Sequence, residues 1–383
     1  MNFPAGPASS NSSHRIDGVD LLRGLAIFFV LMNHVNMRLL IAHVPYTQHI
    51  PEQFVSALVW NGQHGVQIFF AISGFLITST TLRRWGSLDR TSLRGFYLMR
   101  FARIAPLLLL LLSVLSALHL AQVHNFVVQP KTGGLPSALL ATLTFHVNVL
   151  EAWRGYLPGN WDVLWSLSIE EVFYLFFPLA ARFLGRGRWF LALLLAFGVA
   201  GPFARTILAH GNEVWQEYSY LGGMDAIALG CLTALLVTRR EFSRSARKIQ
   251  VAVGVALLIF ILCFSHLANS AGLGRTGLDM TVIAVATCLL IAAATQARWK
   301  APRLLAPLLH LGQHSYEIYL IHMFVVFALF AFFVRIGKPL RAVVPLFIVI
   351  TIIAALLGQV VALLYSEPLN KAIRTRWAAP RVL

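Results

Sequence analysis

Charge is scarce in this chain. Of its 383 residues 12% are Asp, Glu, Lys or Arg, and only 15 are acidic. A soluble domain carries roughly 25% charged residues, so an extensive water-facing surface is excluded. Cysteine is scarcer still. Cys231, Cys263 and Cys288 all fall inside apolar runs, which rules out a disulfide-built fold and leaves packed thiols. The chain also lacks a G-x-S-x-G elbow, an H-E-x-x-H pair, a P-loop and a G-x-G-x-x-G turn, so the familiar hydrolase, zinc-protease and nucleotide-binding signatures are missing. The opening "MNFPAGPASSNSSHR" lacks the basic–apolar–small layout of a cleaved signal and reads as a disordered tail before an uncleaved first span.

What is abundant is apolar sequence, at 58% of residues. A spanning helix takes about 20 apolar residues. Ten segments qualify, near 19–42, 56–81, 105–124, 163–184, 189–209, 219–238, 249–268, 279–297, 313–334 and 342–366. Residues 136–150 are apolar but short, and are expected to lie at the interface or to re-enter. The fold class is therefore an all-α polytopic membrane protein with about ten transmembrane helices. With both termini cytoplasmic, 22 of the 31 Lys and Arg residues fall in cytoplasmic segments and 8 outside, with Arg23 within the first span. This is the positive-inside asymmetry, and it accounts for the net charge of +16 without nucleic acid as a partner. The expected organisation is a disordered cytoplasmic tail over 1–14, one transmembrane domain over 15–370 and a basic cytoplasmic tail over 371–383.

Ionisable side chains within spans are costly, and function is their default explanation. The first span carries Arg23 and His34. Eleven positions turn a helix about 20° past three full turns, so the two share a face about 16 Å apart along the axis. The alternative is a snorkelling arginine and a packed histidine. His64 opens the second span, and the adjacent Ser73-Gly74 suits close helix packing. Arg100 and Arg103, three residues apart, lie on one side of a helix and suit phosphate binding, or else anchoring to lipid headgroups.

In "WSLSIEEVFYLFFP", Glu170 lies about 10 Å below the start of its span, against about 12 Å for His34. At matching depth the two form a possible acid/base pair, the alternative being a structural contact of Glu170 with Arg or Tyr. "HSYEIYLIH" adds Tyr316, Tyr319 and His322. His310 and His314 stand four apart, but no Cys or carboxylate completes a zinc pattern, and no metal is expected. A haem held by His34 and His322 would normally show further paired histidines.

Together these residues resemble the integral-membrane acyltransferase-3 superfamily. Arg23 and His34 match its R-x10-H signature, with Asp20 in its D-x-x-R start. "IFFAISGFLIT" is similar to its F-F-x-x-S-G-F segment, and Arg100–Arg103 to its R-x-x-R element before a proline, here Pro106. "WSLSIEEVFYLFFP" and "HSYEIYLIH" resemble two further blocks, and the five run in order from about 15 to 370.

The resemblance implies transfer of an acyl group, commonly acetyl, from cytoplasmic acyl-CoA to a hydroxyl of a sugar, a cell-surface glycan or a similar acceptor. The setting it implies is the bacterial inner (plasma) membrane, and membrane lipid is an expected partner. His34 and Glu170 are then the expected catalytic groups. Arg23, Arg100 and Arg103 are expected to bind acyl-CoA (acetyl-CoA), whose pantetheine arm threads along the first span toward His34. Asp20, His64, Ser73, Tyr316, Tyr319 and His322 are supporting residues. A different class, a secondary transporter or a flippase of an acyl donor or glycolipid, also places such groups at mid-membrane.

Overall fold

A computed structural model describes residues 15–48, 50–297 and 299–378. The expected tail over 1–14, and residues 379–383 of the expected C-terminal tail, lie outside the described residues. All regular structure among the described residues is helical. The long helices are α1 (Asp17–Ile41), α2 (Gly62–Trp85), α3 (Leu93–Leu120), α4 (Leu164–Leu184), α5 (Arg188–Arg205), α6 (Tyr220–Arg239), α7 (Arg244–Cys263), α8 (Leu278–Ala297), α9 (Ser315–Arg335) and α10 (Val343–Val361). With flanking turns they make ten segments long and apolar enough to cross a membrane.

Sequence chemistry sets several boundaries. Ser92, Ser219 and Ser243 cap α3, α6 and α7, accepting from the amides of Gly95, Gly222 and Ala246 at 3.2, 3.2 and 3.1 Å. Each cap satisfies one of the amides that a helix start leaves without a partner. The Ser92 cap starts α3 twelve residues before the expected 105, which brings Arg100 and Arg103 into the helix itself. Residues 136–150 form no span. The chain breaks after Gly134–Leu143 and resumes as a second short helix, Val147–Arg154.

Close backbone contacts fix α1. A Cβ on Gly24 would lie 1.9 Å from the Leu308 carbonyl oxygen of the short helix Ala306–Gln313, and one on Gly65 of α2 would lie 2.6 Å from that of Ala26. Only glycine permits such approach, so α1 is gripped on two sides. After α10 a π turn over Ala362–Ser366 leads into the helix Glu367–Ala378, which packs along α3. The turn is pinned where Tyr365 donates to the Pro106 carbonyl at 3.2 Å. Residues 371–378, expected as part of a tail, thus continue a helix of the bundle.

Candidate active site

The short turn between α9 and the helix before it lays "HSYEIYLIH" alongside α1. His322 is fully buried, whereas His34 keeps part of its surface accessible. Their rings meet edge to face, centroids 4.9 Å apart.

Backbone carbonyls fix both tautomers, because a carbonyl can only accept. His34 donates from Nδ1 to the Val30 oxygen at 2.8 Å. His322 donates from Nδ1 to the carbonyls of Tyr319 and Ile318 at 2.7 and 3.2 Å. The unprotonated Nε2 of His322 then lies 3.3 Å from His34 Nδ1, as a second acceptor for the same proton. That leaves the lone pair on His34 Nε2 free. The arrangement is an oriented imidazole base backed by a second imidazole.

The expected pairing of His34 with Glu170 does not form. No hydrogen bond or ion pair joins them among the described residues; matching depth alone does not set helix rotation. Glu170 instead lines a cavity of about 850 Å³ together with Ser73, Arg100, Tyr174 and Tyr316. Six arginines line this cavity, Arg23, Arg83, Arg84, Arg100, Arg103 and Arg374, against the one carboxylate of Glu170. An adjoining cavity of about 620 Å³ shares Arg23, Arg83 and Arg103 with it and adds Asp20, His314 and Glu317.

Aromatic rings hold the guanidinium groups in place. Arg100 lies 3.8 Å from the Tyr174 ring centroid and Arg103 5.8 Å from that of Tyr316. Such stacking leaves the N–H fork free for an anion. Tyr316 itself donates to the Ile104 carbonyl at 3.1 Å. Ser73 contacts the Tyr174 hydroxyl. Arg23 is 3.8 Å from Asp20, as a partly buried i,i+3 pair.

The route from this cavity to His34 differs from the expected path along α1. Of α1, only Arg23 lines the larger cavity among the described residues. The cavity runs between α2, α3, α4 and α9 and ends at Ser166 and Tyr319, whose hydroxyls bond at 2.6 Å. Tyr319 also donates to the Val163 carbonyl at 3.0 Å, and its ring centroid is 5.9 Å from that of His322. Tyr319 therefore stands between the arginine cavity and the histidine pair. His64 lies apart from both, with Nδ1 2.7 Å from Asn61 and Nε2 3.7 Å from Asp279. The rings of His310 and His314 are 4.6 Å apart, and among the described residues no group of three His, Cys, Asp or Glu side chains is placed to hold a metal.

A family model described as an acyltransferase domain (acyltransferase 3) matches residues 16–362, nearly the whole chain. The chain belongs to the acyltransferase-3 family. Among curated relatives of this acyltransferase-3 chain, the O-acetyltransferase OatA of Staphylococcus aureus strain NCTC 8325 is 22% identical, the match covering 94% of this chain and 58% of the relative. The peptidoglycan O-acetyltransferase OatA of Listeria monocytogenes is 26% identical over 80% of this chain and 49% of its own. A putative O-acetyltransferase of S. aureus strain COL is 24% identical over 87% and 54%. The chain thus spans about half the length of these relatives. No solved structure matches it.

Arg83, Arg84 and Arg374, which are not among the expected donor-binding residues, also line the cavity. Arg374 follows Asn370, another lining residue, by one helical turn; that i,i+4 spacing in "LNKAIRTR" was the available signal. Glu171 neighbours Glu170 on α4. It is buried, and its Oε1 has no partner among the described residues.

The arginine cavity carries a prediction. If it binds the phosphates of a donor, Arg103→Ala raises KM for that donor about tenfold or more, since a charge-assisted contact is lost. Steady-state kinetics with varied donor would test this. An unchanged KM removes Arg103 from the donor site.

Proposed function

We propose that the chain is a membrane O-acyltransferase that moves an acyl group, acetyl in the simplest case, from cytoplasmic acyl-CoA to a hydroxyl of a sugar or cell-surface glycan. One arrangement carries this reading: a cavity lined by six arginines and one carboxylate ends at Tyr319, beside a histidine pair with one free imidazole nitrogen. The relatives named as O-acetyltransferases support it. Both termini then lie in the cytoplasm and the arginine cavity opens to it, as the Lys and Arg distribution favours.

In this reading the CoA phosphates bind Arg100 and Arg103, with Arg23, Arg83, Arg84 and Arg374 adding positive charge. The pantetheine arm passes Ser73 and Glu170 toward Tyr319. His34 Nε2 takes the proton of the acceptor hydroxyl as its oxygen attacks the thioester carbonyl. The resulting imidazolium is stabilised at Nδ1 by the Val30 carbonyl and His322 Nε2. The tetrahedral adduct collapses, the C–S bond breaks, and the CoA thiolate takes the proton from His34. A covalent variant places the acyl group on His34 Nε2 before the acceptor arrives. Glu170 and Glu171 hold the arginine array rather than the base.

Purified protein in proteoliposomes distinguishes this from transport. Acyl-CoA on the arginine side and a saccharide acceptor should give free CoA only when both are present, together with an acylated saccharide. Movement of donor or glycolipid across the bilayer without CoA release would overturn the enzyme reading in favour of a transporter. Labelled acyl-CoA without acceptor should label the protein only if transfer is covalent.

A further inference from the structure

Past the histidine pair, on the side away from the arginine cavity, lies a second buried polar cluster. Arg38 follows His34 by four residues on α1, about 6 Å further along the axis. The short helix Gly159–Asp162 seats at the same level against α9. A Cβ on Gly159 would lie 2.6 Å from Met323 Cε, 3.2 Å from Phe327 Cζ and 3.7 Å from an Arg38 Nη. The Arg38 guanidinium lies 4.8 Å from the Phe327 ring centroid, near enough to Asp162 for their charges to interact.

The short helix Val147–Arg154 supplies the rest. Glu151 is fully buried, accepts from the Leu157 amide at 3.0 Å through Oε1, and faces the Asp162 carboxyl. Burial, and then the neighbouring Asp162 charge, push Glu151 well above the usual carboxylate range. Asn160 and Trp161 are also fully buried.

What marks this cluster out is how much of it is unsatisfied. Both polar atoms of Asn160, Trp161 Nε1 and Arg38 Nε have no partner among the described residues. Buried polar groups are normally paired, because leaving one unpaired costs stability. Here donors and acceptors are mixed within one region, beside the working imidazole. An anionic ligand would meet two carboxyl groups, and an apolar one would leave every orphan unpaired. A ligand rich in hydroxyls, each both donor and acceptor, satisfies the set. Trp153 and Tyr156, next along the same segment and 83% and 57% exposed, offer the aromatic faces that sugar rings stack on.

We propose that this cluster is the acceptor subsite and that its ligand is a carbohydrate, whose hydroxyls pair with Glu151, Asn160, Trp161 and Arg38 while one hydroxyl reaches His34 Nε2. The proposal rests on the acyltransferase reading for which ligand hydroxyl reacts, but the binding itself does not need turnover.

The test is therefore a binding measurement. Chitotriose and maltotriose are titrated into the full-length, detergent-solubilised protein, followed by calorimetry. Wild type and His34→Ala should bind at least one of them saturably, and Glu151→Gln and Asn160→Leu should weaken that binding at least tenfold while acyl-CoA affinity stays the same. In turnover assays the same two variants should raise KM for the saccharide rather than lower kcat alone. Absence of saturable binding by wild type, or equal affinity in folded Glu151→Gln, overturns the subsite. Saccharide binding without any acceptor-dependent CoA release would sink the acyltransferase reading and leave the carbohydrate site standing. Glu151→Gln changes one atom and preserves shape, so it still reports if Asn160→Leu fails to fold.

Discussion

Replacing His34 by alanine should lower acyl transfer by about a hundredfold to ten-thousandfold, the range that a positioned general base contributes. The expectation follows from tautomer geometry. Val30 and His322 Nε2 both take the Nδ1 proton of His34, so its free lone pair is at Nε2. The fold should survive, because among the described residues the ring makes only these two polar contacts and keeps part of its surface accessible. Two controls separate catalysis from structure: membrane yield and acyl-CoA affinity should match wild type.

If His322 acts through His34, His322→Gln, which keeps an acceptor near His34 Nδ1, should retain more activity than His322→Ala. Equal loss in both would reduce His322 to packing. Full turnover by His34→Ala would overturn the assignment outright.

The second large effect concerns stability. Replacing Asp225 by leucine should destabilise the protein by about 3–5 kcal/mol, because it strands a buried cation. Asp225 and Arg205 are 0% and 4% exposed and form a bidentate pair, with Nη2 to Oδ2 at 2.8 Å and Nη1 to Oδ1 at 3.1 Å. Arg205 also donates to the Gly277 carbonyl at 2.9 Å, to Thr281 at 2.6 Å and to the Gly222 carbonyl. Asp225 accepts from Gln67 at 2.9 Å and from Thr281 at 2.7 Å. One network thus ties α2, α5, α6 and α8 together. Each of its charges is matched, and none lines either cavity. A cost of this size should appear as a large drop in thermal midpoint in detergent. The double variant Asp225→Leu, Arg205→Met should recover most of the loss, since removing both charges leaves nothing stranded. A drop as large in the double variant would mean that packing, not the pair, is at stake.

Intramembrane charge is a pointer to function only when a partner does not already account for it. Arg205 and Asp225 are as costly in isolation as Arg23 or Glu170, yet they form a closed structural clamp. His64 likewise turns to Asn61 and Asp279 and away from the histidine pair. Sequence spacing cannot separate these cases, since each residue's partner lies on a helix distant along the chain.

By itself the sequence determined the ten apolar segments, the shortness of the apolar stretch near 136–150 and the shared face of Arg23 and His34. All three follow from properties local to one helix: length, hydropathy and a fixed 100° turn per residue. It also singled out His322, Tyr316 and Tyr319 by their clustering within nine residues.

Only the tertiary structure decided which residue meets which. It gave His34 the neighbour His322 in place of Glu170, turned Glu170 toward the arginines, brought Arg374 back to the cavity through a π turn, and buried Glu151, Asn160 and Trp161 beyond Arg38. The physical reason is helix rotation. Depth in a bilayer can be counted from a sequence, but the direction a side chain faces is set by which backbones can approach. Here contacts such as that of Gly24 with the Leu308 carbonyl made the choice.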